Sequence, residues 1–231
     1  MGESTYVVVE GVVEKLEIFN VHVQFLASAR KKQRNAGIVA TIQAAAGEPG
    51  AVHSAQAATD SGDPVDGFKM MLGSQLVSGS FWQTTFKNGD RVQAIGEMQG
   101  SVFHAVAVVK PAEGIIWMQP HCERGTLAKS RRLATYSLGF AAAIFLVQAF
   151  LLRNFAMPLW LFLLASTLGV TVILVTTVGL SWKDFMGFAK EVDKVGKALA
   201  IPSPEKIDLA KSTKNSRRQG KPELPMGVFY L

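Results

Sequence analysis

SLGFAAAIFLVQAFLLRNFAMPLWLFLLASTLGVTVILVTTVGLSW, residues 137–182, contains one formal charge, Arg153. Such a stretch is a buried core, a signal sequence, or two passes through a bilayer. A helix that crosses bilayer hydrocarbon needs about 20 apolar residues. Leu133–Leu152 provides an uncharged run of that length, with Gln148 its strongly polar side chain. Arg153 and Asn154 interrupt it, and Phe155–Trp182 is a second uncharged run. Pro158 stands near the start of that run, where a missing N–H is tolerated because first-turn amides have no helical acceptor. A soluble helical hairpin would carry a polar face on each helix, and neither run has one. The sequence therefore predicts two antiparallel transmembrane helices, 133–152 and 156–181, joined by a short turn.

Working outward, charge sets the orientation. Arg124, Lys129, Arg131 and Arg132 precede the first run, and Lys183, Lys190, Lys194 and Lys197 follow the second. The turn between them offers only Arg153. The excess of cations at the outer ends places both termini in the cytoplasm by the positive-inside rule. Trp160 and Trp182 fall near opposite ends of the second run, where interfacial aromatics belong. Small residues recur four apart, Gly139 with Ala143 and Ala165 with Gly169, and such pairs let helices approach closely, within the hairpin or between copies. The net charge of +6 is uneven: residues 1–132 hold 13 Lys/Arg against 12 Asp/Glu, while 183–231 hold 10 against 6. An excess gathered around and after the apolar block suits an anionic membrane surface rather than a nucleic acid. The start, MGESTYVVVEG, has no basic n-region and no apolar h-region, so no cleavable signal is expected. Tyr6 stands where N-myristoylation wants Ser or Thr.

Residues 1–120 read as a mostly-β cytoplasmic domain. STYVVVEGVVEKLEIFNVHVQF is long and β-branched, with Gly11 as the expected bulge. Strand-like stretches GFKMMLGSQLVSGSFW, TTFKNGDRVQAIGEMQ and SVFHAVAVVKP follow, and GIIWMQP adds one more. Lys87-Asn88-Gly89-Asp90 and Met98-Gln99-Gly100-Ser101 are turns. Val92, Ala94 and Ile95, then Val102, His104, Val106 and Val108, suggest alternation with one apolar face. Short strands with tight turns predict a small barrel of the OB or SH3-like kind. Interrupting it, residues 28–64 form a helical and loop insert. Its basic start, Arg30, Lys31, Lys32 and Arg34, is either a solvated helix start or a contact for lipid headgroups or an acidic partner. Cations at a helix N-terminus oppose the macrodipole, which favours the second reading.

After the second run, Ser181 and Asp184 have the spacing of a capping box. Phe185, Phe188, Ala189, Val192, Val195 and Leu199 then follow a helical period, predicting an amphipathic helix over 182–200. It lies either in the headgroup plane or against the barrel. Pro202 and Pro204 end it. The tail 201–231 is basic, with 205–222 expected to be poorly ordered. Its apolar terminus, ELPMGVFYL, is suited to dock as an edge strand. The fold class expected is thus an α+β membrane protein: a small OB/SH3-like barrel, a two-helix transmembrane hairpin, and an amphipathic C-terminal helix.

Nothing in the chain carries an evident chemistry. His22, His53, His104 and His121 lack metal-ligand spacing. His121-Cys122 sits in QPHCERG, but neighbours in an extended chain point to opposite faces, so a structural turn is the expected role, with Arg124 towards lipid phosphates. One cysteine excludes an internal disulfide. There is no phosphate-binding loop, nucleophile elbow or HExxH. Neither an enzyme nor a cofactor is expected. The uncharged runs also give no path for an ion.

The segments FKNGDRVQAIGE (86–97), AVAVVKP (105–111) and MQPHCERG (118–125), followed by paired apolar helices, resemble a family of bacterial inner-membrane proteins from type VI secretion loci, described as effectors or as immunity proteins. The resemblance spans roughly residues 5–185. It implies an inner-membrane protein whose partners are the lipid bilayer and a cognate toxin or another protein of the locus. A homo-oligomer through the membrane helices is a further expectation, and no nucleic acid is expected. The function implied is immunity, by binding and neutralising a toxin. The alternatives are a membrane-acting effector whose hairpin inserts into target membranes and an OB-like membrane scaffold.

Overall fold

The computed structural model describes residues 6–23, 63–152 and 158–231, and among these are seven strands and three α-helices. The strands are β1 (Val7–Val23), β2 (Asp63–Leu72), β3 (Gln75–Phe81), β4 (Arg91–Gln99), β5 (Val102–Lys110), β6 (Ile115–Met118) and β7 (Val228–Tyr230). The helices are α1 (Thr126–Leu152), α2 (Leu159–Ala198) and α3 (Leu209–Arg218). The protein is therefore α+β, as the sequence predicts.

The 17-residue β1 is long enough to serve two neighbours. Its first half pairs antiparallel with β4 and its second half with β2. The strand shifts register between Glu14 and Glu17, with Lys15 at a φ of 49°. Gly11, the expected bulge, instead runs in regular pairing opposite Val92. The bulge falls where β1 changes partner, because bending a strand around a barrel needs an extra residue there. β3 then pairs parallel with β5, Val77 opposite Phe103 and Gly79 opposite Ala105. That pairing closes a five-stranded barrel in the order β1-β2-β3-β5-β4, which fits the OB kind. A Cβ on Gly79 would stand 2.7 Å from Phe68 Cζ and 2.9 Å from the Ala105 carbonyl, so only glycine admits the two strands at this distance.

Phe68, Phe81 and Phe86 fill the barrel, with Phe68 edge-on to Phe86 at 5.3 Å and Phe86 edge-on to Trp117 at 5.4 Å. Each such ring contributes about 1.5–3 kcal/mol through burial. The turn 87–90 leads into β4 and docks on β1: the Gly89 N–H donates to Val13 O at 2.9 Å, and the Leu16 N–H donates to Asn88 Oδ1 at 2.9 Å.

β5 departs from the expected alternation, since every residue from Phe103 to Val109 is buried. Phe103, Ala105 and Val108 face the barrel interior, whereas Val106, Ala107 and Val109 face a second core. A register shift opposite Ile95 and Gly96 changes which residues point inward. The second core covers the outside of the barrel with the C-terminal half of α2, through Phe188, Val192 and Val195. The amphipathic segment thus packs on the barrel rather than lying apart from it.

Three other expectations are corrected. No boundary separates 156–181 from 182–200, because α2 runs unbroken for 40 residues; nothing in Leu159–Ala198 is a proline, so no backbone donor is lost. The tail is ordered: α3 is N-capped by Asp208, whose side chain accepts from the Lys211 N–H at 2.9 Å. The β domain is also not confined to 1–120. β7 adds to β6 with Ile116 opposite Phe229, realising the edge strand expected of the terminus. The insert at 28–64 lies outside the described residues up to 62, and β2 takes up its last two.

Among the described residues, one helix is long and apolar enough to cross a membrane, Thr126–Phe150 within α1, and none of its most apolar window is buried. The described apolar part of α2, Trp160–Val172, is shorter. The two helices lie antiparallel, with Phe145 and Phe162 ring centroids 5.7 Å apart near one end and Thr126 bonded to Asp193 at the other.

Candidate functional site at the barrel–helix junction

The turn Gln119–Gly125 converts the end of β6 into the start of α1. His121 adopts a φ of 66°, and its ring stands 5.7 Å from that of Trp82 and 5.3 Å from that of Phe188. Cys122 is buried in the apolar core between barrel and α2, to which Phe188 also belongs. Both side chains thus pack at the seam between barrel and α2. Upstream, Gln119 Nε2 lies 3.2 Å from Nε2 of the buried His104.

The first turn of α1 is capped by a residue 67 positions away in sequence. The Thr126 N–H donates to Asp193 Oδ1 at 2.9 Å and the Thr126 hydroxyl donates to Asp193 Oδ2 at 2.7 Å. A carboxylate at this position satisfies an orphan amide and complements the positive end of the helix dipole. Gly125 makes the approach possible, since a Cβ there would meet Pro204 O at 2.5 Å and Asp193 Oδ1 at 2.7 Å.

The C-terminal segment locks the same junction. Arg124 and Asp208 form an antiparallel bridge, flanked by Gly125 N–H to Ile207 O at 2.9 Å and Leu209 N–H to Glu123 O at 3.0 Å. Arg124 donates to Glu123 Oε1 at 2.6 Å and lies 3.2 Å from Asp208 Oδ1. Lys129 Nζ reaches Glu123 Oε1 at 3.3 Å and His121 O at 3.4 Å.

On the far side, the Tyr6 hydroxyl donates to Glu191 of α2, and Lys194 Nζ stands 3.9 Å from the same carboxylate and 5.1 Å from the Tyr6 ring centroid. Burial, and then the neighbouring Glu191, pushes the Tyr6 hydroxyl far above the ordinary phenol range, so it stays a neutral donor. The barrel is thus pinned to α2 at the first described residue of the chain.

Of the residues expected to orient the chain, Arg124 and Lys129 are internal ion-pair partners rather than exposed cations. Arg131, Arg132 and Lys190 are exposed. Lys183 lies within α2, and its side chain is outside the described residues. Gly169 stands at the contact with α1, where a Cβ would sit 3.7 Å from Gln148 Nε2. Gly139 and Ala143 are exposed, and the Ala165 side chain is outside the described residues. Arg30, Lys31, Lys32 and Arg34 also lie outside them.

Sequence pattern pointed to none of Asp193, Asp208 and Glu191, and to Tyr6 only as a bar to N-myristoylation. Asp208 carries a local signal, a capping residue three positions before Lys211 and ahead of helix formers. Asp193 has none, because KEVDK reads as solvated helix surface. No group of three or more His, Cys, Asp and Glu side chains that could hold a metal occurs among the described residues. No protein family, curated protein or solved structure matches this chain.

Proposed function

We propose that this chain is a non-catalytic binding protein of a bacterial inner membrane, in which the barrel is held at the cytoplasmic surface by the antiparallel helices. One observation carries the reading. None of the apolar window of Thr126–Phe150 is buried, although α2 lies along one side of it, and the first turn of the same helix is locked to barrel, α2 and tail. An uncovered apolar surface of this size is stable in hydrocarbon and not in water. In this reading the apolar half of α2 crosses beside α1, and the flanking cations keep both ends of the chain in the cytoplasm.

The biological role follows from the resemblance to proteins of type VI secretion loci: immunity, by sequestering a cognate toxin. Against a cytoplasmic toxin the mechanism is steric masking by the barrel, with residues 30–64 contributing to the contact. Against a membrane-inserting toxin, the exposed faces of α1 and α2 are the pairing surface. A pore-forming effector would need a polar stripe along its spans. The described faces are instead lined by residues such as Leu138, Leu146, Leu164 and Leu168, all exposed.

Cells that express the chain and are challenged with the toxin encoded beside its gene should survive, and the toxin should co-purify with the chain from detergent-solubilised membranes. Survival equal to that of cells lacking the chain, with no toxin recovered, rejects immunity. Growth arrest from expression of the chain alone assigns it to the effector class instead.

A further inference from the structure

Beside the first turns of α1, the polypeptide encloses a cleft of about 450 Å³. Arg131, Arg132 and Tyr136 form one wall, and Lys206, Asp208 and Lys211 the other. Four cations therefore face one carboxylate. That carboxylate is already engaged, by the Arg124 guanidinium at 3.2 Å and by the Lys211 N–H at 2.9 Å. Arg132 is also engaged, donating to the Tyr136 hydroxyl at 2.6 Å and lying 5.1 Å from its ring centroid. Arg131, Lys206 and Lys211 remain, exposed and with no ion pair among the described residues. Like charges gathered in a concavity repel one another until an anion neutralises them.

The two walls are fixed relative to each other. The Arg124–Asp208 bridge and its flanking hydrogen bonds tie residues 207–209 to 123–125, so the lysines are held facing α1. Arg131 and Arg132 immediately precede Leu133, where the uncharged run begins, and Tyr136 lies about 4.5 Å further along the axis at 1.5 Å per residue. If α1 crosses the bilayer, the cleft opens at the height of the lipid phosphates.

We infer that this cleft binds the phosphodiester headgroup of an anionic phospholipid, a phosphatidylglycerol-type lipid, and thereby fixes the height and rotation of the barrel on the membrane. The inference rests on the membrane placement proposed above. The Arg131 guanidinium has the planar fork that matches a phosphate bidentately, while Lys206 and Lys211 act as point charges. Tyr136 offers the amphipathic ring that suits the glycerol level. Basic pockets on the cytoplasmic side of membrane helices recognise headgroups in this way.

The test uses the full chain in uncharged detergent micelles, titrated calorimetrically with dihexanoyl phosphatidylglycerol, dihexanoyl phosphatidylcholine and inorganic phosphate. Phosphatidylglycerol should bind saturably. Phosphatidylcholine and inorganic phosphate should each bind at least about tenfold more weakly, and Arg131→Gln/Lys206→Gln/Lys211→Gln should weaken phosphatidylglycerol by at least about tenfold. The control Lys190→Gln/Lys214→Gln, which removes two exposed cations outside the cleft, should bind as the parent does. Since all five side chains are exposed, unchanged thermal unfolding verifies that the variants fold. Equal binding of the two lipids, undiminished binding by the triple variant, or inorganic phosphate binding as tightly as phosphatidylglycerol each overturns the site. Alkaline carbonate washing of membranes tests the placement separately. A chain that resists washing but fails the titration loses only this site, whereas a chain that washes off while passing the titration loses the spanning helices and keeps the site.

Discussion

The two ends of α2 are one continuous helix in two different environments. Towards its start, Trp160, Leu164 and Leu168 are 67%, 63% and 66% exposed; towards its end, Phe188, Val192 and Val195 are 2%, 1% and 3% exposed. Both ends are rich in large apolar side chains, so hydrophobicity alone does not distinguish them. The difference lies in what accompanies the apolar residues. The second half interleaves Lys190, Glu191, Asp193, Lys194 and Lys197, leaving one stripe that the barrel covers. The first half has no charged residue, and α1 covers only one side of it, as where Phe145 meets Phe162. One half is stabilised by its own protein, and the other, in the reading proposed above, by lipid.

That contrast is broken most sharply by a charge placed on each side. Val192→Asp buries an unpaired carboxylate between α2 and the barrel and should cost about 3–5 kcal/mol, enough to unfold much of the barrel. Near-ultraviolet dichroism and protease sensitivity of the detergent-solubilised protein measure it. Leu164→Asp should leave that unfolding transition in place. Its cost falls on insertion, about 2.5–3.5 kcal/mol, read as loss of the carbonate-resistant fraction. If both variants unfolded the barrel equally, the division of α2 into a protein-supported half and a lipid-supported half would be wrong.

The same contrast explains what could be read in the sequence. The apolar runs were legible because a bilayer span would require no charge over about 20 residues on any side of a helix, and both runs meet that requirement. The barrel was legible at its turns, where Gly89 and Gly100 take φ values of 92° and 65° as hairpin chemistry requires. β5 was not, because the barrel interior and α2 bury both its faces and erase the period of two. The junction was least legible. Its bonds join Thr126 to Asp193, Arg124 to Asp208 and Tyr6 to Glu191, and no local pattern encodes a partner so distant in sequence. The order of the tail was hidden for a related reason: α3 buries only Leu209 and Ser216, so its sequence looks like that of a solvated chain.

The cap that joins the two environments gives a smaller effect. Asp193→Ala removes both acceptors from Thr126 and should destabilise the junction by about 1 kcal/mol. The loss should appear as faster hydrogen exchange at the first amides of α1, without a change in carbonate resistance. Asp193→Asn keeps an acceptor and should recover part of the protection. Exchange unchanged in Asp193→Ala would mean that the α1 start is held by the Arg124–Asp208 bridge alone.

The smallest effect is electrostatic and belongs wholly to the barrel. Lys110 Nζ lies 2.9 Å from Asp90 Oδ1 and 2.6 Å from Glu113 Oε1. Burial raises the Asp90 carboxyl, but the Lys110 hydrogen bond and the Lys87 N–H outweigh it and hold the group below its ordinary 3.8. Lys110 is held above its ordinary 10.5 by Glu113 first and Asp90 second, against the opposing effect of burial. A depressed carboxylate contributes fully above its unfolded value and fades as pH falls through its folded one. A raised ammonium contributes fully below its unfolded value and fades as pH rises through its folded one. The stability lost in Lys110→Met should therefore be flat between 3.8 and 10.5 and shrink outside that window. Partly exposed pairs of this kind contribute at most about 1 kcal/mol. Urea unfolding of parent and variant across pH reads the difference, and a gap that persists well below 3.8 would assign the loss to packing of the lysine stem. Because both ion pairs join residues outside α1 and α2, the same substitution should leave retention in carbonate-washed membranes unchanged, which separates barrel stability from anchoring within one variant.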